Sequence, residues 1–206
     1  MQKDKSKGRF FILAGVLLIF AAIALVVWNV YWDSQGGKAA EKVVEQLNQE
    51  IPKPENDGDS EYMPKISDET SDEESETAFD LDGKKYIGII SVPKINLELP
   101  VMNEWSYANL DIAPCRYSGT ALGGDLIIAA HNYTSFFDRI DELNSGDKIL
   151  FTECSGKIRT YEVVASELIG GTDVVGMERD SENWDLTLFT CTWSGWSRIT
   201  VRAAEI

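Results

Sequence analysis

The chain has 206 residues, a formal net charge of −15 at pH 7, 44% hydrophobic residues and a single histidine. That length suggests one domain with appendages, and an acidic surface repels phosphate backbones, so nucleic acid is excluded as an expected partner. The charge is uneven: residues 1–9 carry a net +3, residues 33–83 hold 16 acidic and four basic side chains, and residues 84–206 hold 17 acidic and 11 basic.

Residues 1–9 form a short basic tail with Lys3, Lys5, Lys7 and Arg9. Phe10 to Trp28 then runs 19 residues without a charge. As a helix it would extend about 28 Å, close to the hydrocarbon thickness of a bilayer. Trp28, Tyr31 and Trp32 follow as an aromatic belt, so the anchor is placed at residues 10–32. The basic flank predicts a cytoplasmic N-terminus and everything after residue 32 outside. Ala22-Ile23-Ala24 loosely resembles a signal-peptidase site, but the apolar run continues past it, which favours an uncleaved anchor.

Residues 33–83 read as an acidic extracellular stalk. A short helix is predicted over 38–50, with Ala39, Val43, Val44 and Leu47 on one side and Pro52 as its stop. Residues 55–80 are too polar to offset the entropy of ordering and are expected to be largely disordered. From residue 84 short β-branched runs alternate with turn signals. Strands are predicted at 86–91, 98–102, 125–130, 148–152, 157–168, 185–192 and 197–203, with helical turns at 107–110 and 136–143. Such spacing suggests a closed β-barrel or sandwich.

His131 ends the apolar strand that begins at Asp125. A lone histidine is more often structural than catalytic, so it needs partners. Leu186 to Cys191 alternates, placing Leu186, Leu188 and Thr190 on one face and Thr187, Phe189 and Cys191 on the other. The Cys191 thiol therefore lies at a strand end, although a cysteine can equally serve as a small buried hydrophobe. Trp193-Ser194-Gly195-Trp196 can turn the chain and return Arg198 toward Cys191. A cation there would favour a thiolate and stabilise an oxyanion. The order His, Cys, Arg disfavours papain-like peptidases, in which the cysteine comes first.

Thr187-Leu188-Phe189-Thr190-Cys191 resembles the TLxTC signature of the sortases. His131, followed by Asn132, resembles the family's catalytic histidine and Arg198 its catalytic arginine. Ile87 to Ile95 is similar to the family's opening strand, and Ser118-Gly119-Thr120 to its pre-histidine loop. The resemblance covers residues 84–206. It implies a mostly β fold, an eight-stranded sortase-type β-barrel with short helices behind the transmembrane helix. It also implies a Gram-positive cell-wall transpeptidase that cleaves an LPxTG-like sorting motif through a thioacyl-enzyme at Cys191. The partners would be sorting-signal proteins and an amine acceptor, either a cell-wall precursor or a pilin lysine. Catalysis would fall to His131, Cys191 and Arg198, with Thr190, Asn132, Trp193 and Trp196 meeting substrate. The short Cys191–Arg198 connection favours a class D-like or A-like enzyme.

Two other functions fit the same residues: a tethered β-barrel that binds peptide or cell-wall component without turnover, and a hydrolase using water as acceptor. Cys115 and Cys154 could pair outside the cell or remain separate thiols. No C-x₂-C pair supports zinc. No cofactor is expected, although Asp173, Glu178 and Asp180 could hold calcium.

Overall fold

The structure is a computed structural model that describes residues 3–52, 77–178 and 183–206. A single long helix, α1 (Lys3–Glu50), opens the chain. It includes Gly8–Trp28, 21 residues long and apolar enough to cross a membrane, with none of that stretch buried against the protein.

The sequence pattern suggested an anchor over 10–32 and a separate short helix over 38–50. The helix instead continues through Gly36 and Gly37. Two glycines lower helix propensity, yet here they permit close approach: a Cβ on Gly37 would lie 2.9 Å from Ser135 Cβ, and one on Gly36 3.6 Å from the Phe136 ring. Beyond them Val44, Leu47 and Ile51 are buried against the outer face of the barrel. Pro52 follows the last helical bond, Ile51 N–H to Leu47 O at 2.8 Å. The acidic stretch 53–76 lies outside the described residues.

Nine strands follow among the described residues: β1 (Phe79–Leu81), β2 (Lys84–Val92), β3 (Leu97–Met102), β4 (Cys115–Ser118), β5 (Leu126–Ala129), β6 (Lys148–Glu153), β7 (Ile158–Gly170), β8 (Leu186–Cys191) and β9 (Ser197–Glu205). Eight of them close a barrel in the order β2-β3-β4-β5-β8-β9-β7-β6, with β6 pairing back to β2. β1 lies outside that ring. It pairs with β2 over Lys84–Tyr86, before β6 pairs with Gly88–Ser91, and so begins the sheet upstream of the composition change at residue 84. Two short helices, α2 (Tyr107–Leu110) and α3 (Val174–Met177), border the barrel.

Alternation along the strands decides what fills the barrel. Leu126, Ile128, Leu186, Leu188, Val201 and Ala203 are buried in the interior cluster. Ala129 and Phe189 point the other way, toward an outer cluster with Met102, Cys115 and Leu47. This outer layer explains why α1 docks where it does.

Arg202 is the largest fully buried side chain. Its guanidinium donates to Glu167 Oε1 (3.0 Å), Thr187 Oγ1 (2.8 Å), Met177 O (2.9 Å) and Gly176 O (2.7 Å), and it sits 5.1 Å from the Trp184 ring centroid. One side chain thus ties β7, β8 and β9 to the α3 segment that borders the cleft described next.

Candidate active site

β5 and β8 run parallel, with Ala129 opposite Phe189, and end together. β8 and β9 are antiparallel, and Cys191 is the direct partner of Arg198. Directly opposed residues of an antiparallel pair project to the same face, with Cβ atoms about 5 Å apart. His131 follows β5 by two residues, on the alternation that puts Ala129 on the outer face. His131, Cys191 and Arg198 consequently line one cleft of about 180 Å³.

Local bonding holds the histidine and the arginine. Ala130 N–H donates to Phe189 O (3.1 Å), and Phe137 N–H donates to His131 O (3.2 Å). The imidazole stacks on Tyr133, centroids 4.7 Å apart with the planes 27° off parallel. Its Nε2 lies 3.4 Å from Asp111 Oδ1, just after α2. Arg198 Nη1 donates to Gly195 O (3.0 Å) and Ser197 O (3.2 Å), which folds the guanidinium over the β8–β9 turn. Gly171 N–H donates to Trp196 O (2.8 Å). A Cβ on Gly171 would come within 2.9 Å of that carbonyl and 3.2 Å of Arg198 Nη1. Only glycine lets the β7–β8 connection pass so close to the arginine.

The four residues expected to meet substrate are placed differently. Thr190 is fully buried, and its hydroxyl donates to Ala130 O at 2.9 Å. It faces inward because β8 alternates, and its hydroxyl bond ties β8 to the residue before His131. Asn132, Trp193 and Trp196 do not line the cleft. Trp193 and Trp196 are almost fully exposed.

The wall of the cleft is aromatic, a feature the sequence pattern did not reveal. Phe189 meets Tyr117 edge-on (5.3 Å, 87°), Tyr117 meets Trp105 (6.2 Å, 80°), and Trp105 meets Tyr107 (5.3 Å). Val174 and Met177 of α3 line the cleft as well. Apolar walls with a few convergent polar groups are the usual character of a ligand site.

None of the three cysteines forms a disulfide. Cys115 and Cys154 are separate buried thiols, donating to Ala113 O (3.3 Å) and Tyr86 O (3.2 Å). Burial pushes the Cys115 thiol up to about 12, which disfavours the nucleophilic thiolate there. Cys191 is the only one of the three that is not buried. Among the described residues no group of three His, Cys, Asp or Glu side chains could hold a metal ion. Of the acids considered for calcium, Asp173 accepts from Gly176 N–H as the cap of α3. Asp180 lies outside the described residues.

The family profile described as "Sortase domain" matches residues 90–206. Sortase A of Bacillus anthracis is 26% identical over 192 residues, covering 90% of this chain and 89% of that protein. Sortase D of Bacillus subtilis (strain 168) is 26% identical over 125 residues, covering 59% of this chain. Sortase A from Corynebacterium diphtheriae superposes with a TM-score of 0.54 at 28% identity, over 60% of this chain. The chain spans only 62% of the length of the Bacillus subtilis relative and 61% of the Corynebacterium chain. With more than half of its residues under the family profile, a matching barrel, and a Cys–His–Arg cleft at the strand ends, the chain belongs to the sortase family.

Proposed function

We propose that this chain is a membrane-tethered cysteine transpeptidase that cleaves an LPxTG-like sorting signal and transfers the new carboxyl end to an amine. The observation that carries the reading is the cross-strand pairing of Cys191 with Arg198 in a cleft shared with His131.

The chemistry follows from those positions. The Cys191 thiolate attacks the scissile carbonyl, and a thioester replaces the peptide bond. Arg198, opposite the nucleophile, donates to the oxyanion as charge develops. His131 gives a proton to the departing amine and later takes one from the incoming amine. The aromatic wall of Trp105, Tyr107, Tyr117 and Phe189 receives the apolar side chains of the peptide. The acceptor is an amine of a cell-wall precursor or of a pilin. None of these steps calls for a metal ion.

The α1 stretch Gly8–Trp28 supports anchoring. The four basic residues of segment 1–9 support an N-terminus in the cytoplasm, with the barrel on the outer side. An anchoring enzyme of the D-like or A-like kind is the subclass we favour, because Cys191 and Arg198 are joined by a short turn.

The test uses the full chain in detergent, because Val43, Val44, Leu47 and Ile51 complete the outer cluster. Incubation with LPxTG-like peptides, with and without an amine acceptor, is followed by mass spectrometry. A transpeptidase gives an amine-dependent ligated product. Cleavage that ignores the amine indicates a hydrolase, and binding without cleavage indicates a non-catalytic receptor.

A further inference from the structure

The β8–β9 turn carries two of the most exposed large side chains on the barrel, Trp193 at 89% and Trp196 at 83%. Both stand within five residues of Cys191, yet neither lines the cleft. Val175 of α3, beside the same end of β7, is 83% exposed and Val174 50%. Isolated exposed hydrophobics are ordinary, but a clustered apolar rim marks a surface with a partner.

The path of α1 indicates which partner. The helix meets the barrel at Gly36 and Gly37, against Phe136 and Ser135. Those residues belong to the segment that starts at His131, whose carbonyl accepts from Phe137 N–H. The helix leaves at Pro52, whose carbonyl abuts Gly156 in the β6–β7 turn. That turn opens β7, whose far end, Gly170, pairs with Ser197 beside the site. α1 therefore runs from the site end of the barrel to the opposite end, and Gly8–Trp28 departs from the site end.

Lengths agree with this orientation. Trp28 precedes Gly36 by eight residues, or about 12 Å of helix. The β8–β9 turn projects roughly 7–10 Å past the last strand residues, and each headgroup layer is about 6 Å deep. The turn thus reaches lipid headgroups when the apolar stretch spans the core. Its chemistry suits that depth: Thr192 to Ser197 carry no charge, and indole rings settle where an apolar body and a polar N–H are both satisfied.

We propose that the Trp193–Trp196 turn, flanked by Val174 and Val175, docks into the headgroup region of the bilayer that α1 crosses and holds the mouth of the cleft toward the membrane. The inference rests on the membrane-spanning reading of α1. Its consequence is that peptides and acceptors tethered in the same leaflet meet Cys191 at the lipid surface.

Tryptophan quenching in phosphatidylcholine vesicles tests it, with the full chain reconstituted as wild type and as W193S/W196S. Subtracting the two spectra isolates the turn, and the signal left in the double variant includes Trp28 and Trp32. Lipids brominated near the headgroup should remove roughly half or more of the difference signal, as expected for indoles at the interface, and aqueous iodide should leave most of it. If the residual signal is quenched by bromolipid but the difference signal answers only to iodide, α1 spans and the turn does not dock. If neither is quenched by bromolipid, the spanning reading fails and the docking with it. A difference signal shielded from both quenchers assigns the turn to a protein contact and overturns the lipid proposal.

Discussion

Cys191 on β8 and Arg198 on β9 are direct partners across an antiparallel ladder, and that register sends both side chains to the same face, where both line the cleft. Leu188 opposite Val201 and Leu186 opposite Ala203 are buried in the same ladder. A one-residue slip would turn this apolar set outward, so the core itself enforces the register.

Arg198→Ala should lower kcat/KM on the order of 10²–10³-fold, the usual loss when an oxyanion donor is removed. Arg198→Lys should recover only a small part of it, because an ammonium cannot reproduce the planar donor fork. His131→Ala should also lose activity by orders of magnitude. Steady-state kinetics on the peptide reads the loss. Chemical denaturation should place each variant within about 1 kcal/mol of wild type, since neither side chain fills the core.

Asp111→Asn should cost less than about tenfold in kcat/KM. The carboxylate lies 3.4 Å from His131 Nε2 but is 68% exposed, and exposed ion pairs contribute little in water. A loss as large as that of His131→Ala would show that Asp111 positions the imidazole more strongly than its exposure suggests.

Arg202→Ala should destabilise the barrel by about 3 kcal/mol, measured by urea denaturation. It deletes a fully buried side chain and leaves Thr187 Oγ1 and the carbonyls of Gly176 and Met177 without their donor. Because those carbonyls belong to α3, the variant should also raise KM for peptide. Equal stability to wild type would contradict this reading of the buried guanidinium.

Alkaline pH should destabilise the protein through Cys115. Desolvation raises its thiol from 9.0 to about 12. The unfolded chain releases that proton first, so stability is fully present below pH 9 and falls as pH rises toward 12. In denaturation series from pH 8 to 11, wild type should lose stability relative to Cys115→Ala by up to about 1.4 kcal/mol per unit above pH 9. Parallel curves for the two proteins would contradict the assignment.

The residues of the cleft were legible in the sequence to different degrees. His131 follows an apolar run, Cys191 ends an alternating strand and Arg198 opens a strand after a glycine-containing turn, so their convergence could be anticipated. β4 was not, because Cys115–Ser118 is four residues long, bears Arg116, and changes register against β5. The aromatic wall escaped notice because Trp105, Tyr107 and Tyr117 lie in irregular or short segments that only tertiary packing aligns with Phe189. Thr190 looked like a substrate contact because it adjoins the nucleophile, yet strand alternation turns it inward. Its place on the face of Leu186 and Leu188 accounts for that burial. Gly36 and Gly37 fall between the anchor predicted at 10–32 and the helix predicted at 38–50, and their use in packing against Ser135 and Phe136 appears only once the barrel is in place.

Intact-protein mass spectrometry of the full chain with an LPxTG-like peptide reads whether Cys191 is the nucleophile. With Cys191 as the nucleophile, wild type should carry a covalent adduct equal in mass to the acyl half of the peptide, Cys191→Ala none, and Cys115→Ser an undiminished adduct. An adduct or cleaved peptide with Cys191→Ala would contradict that role.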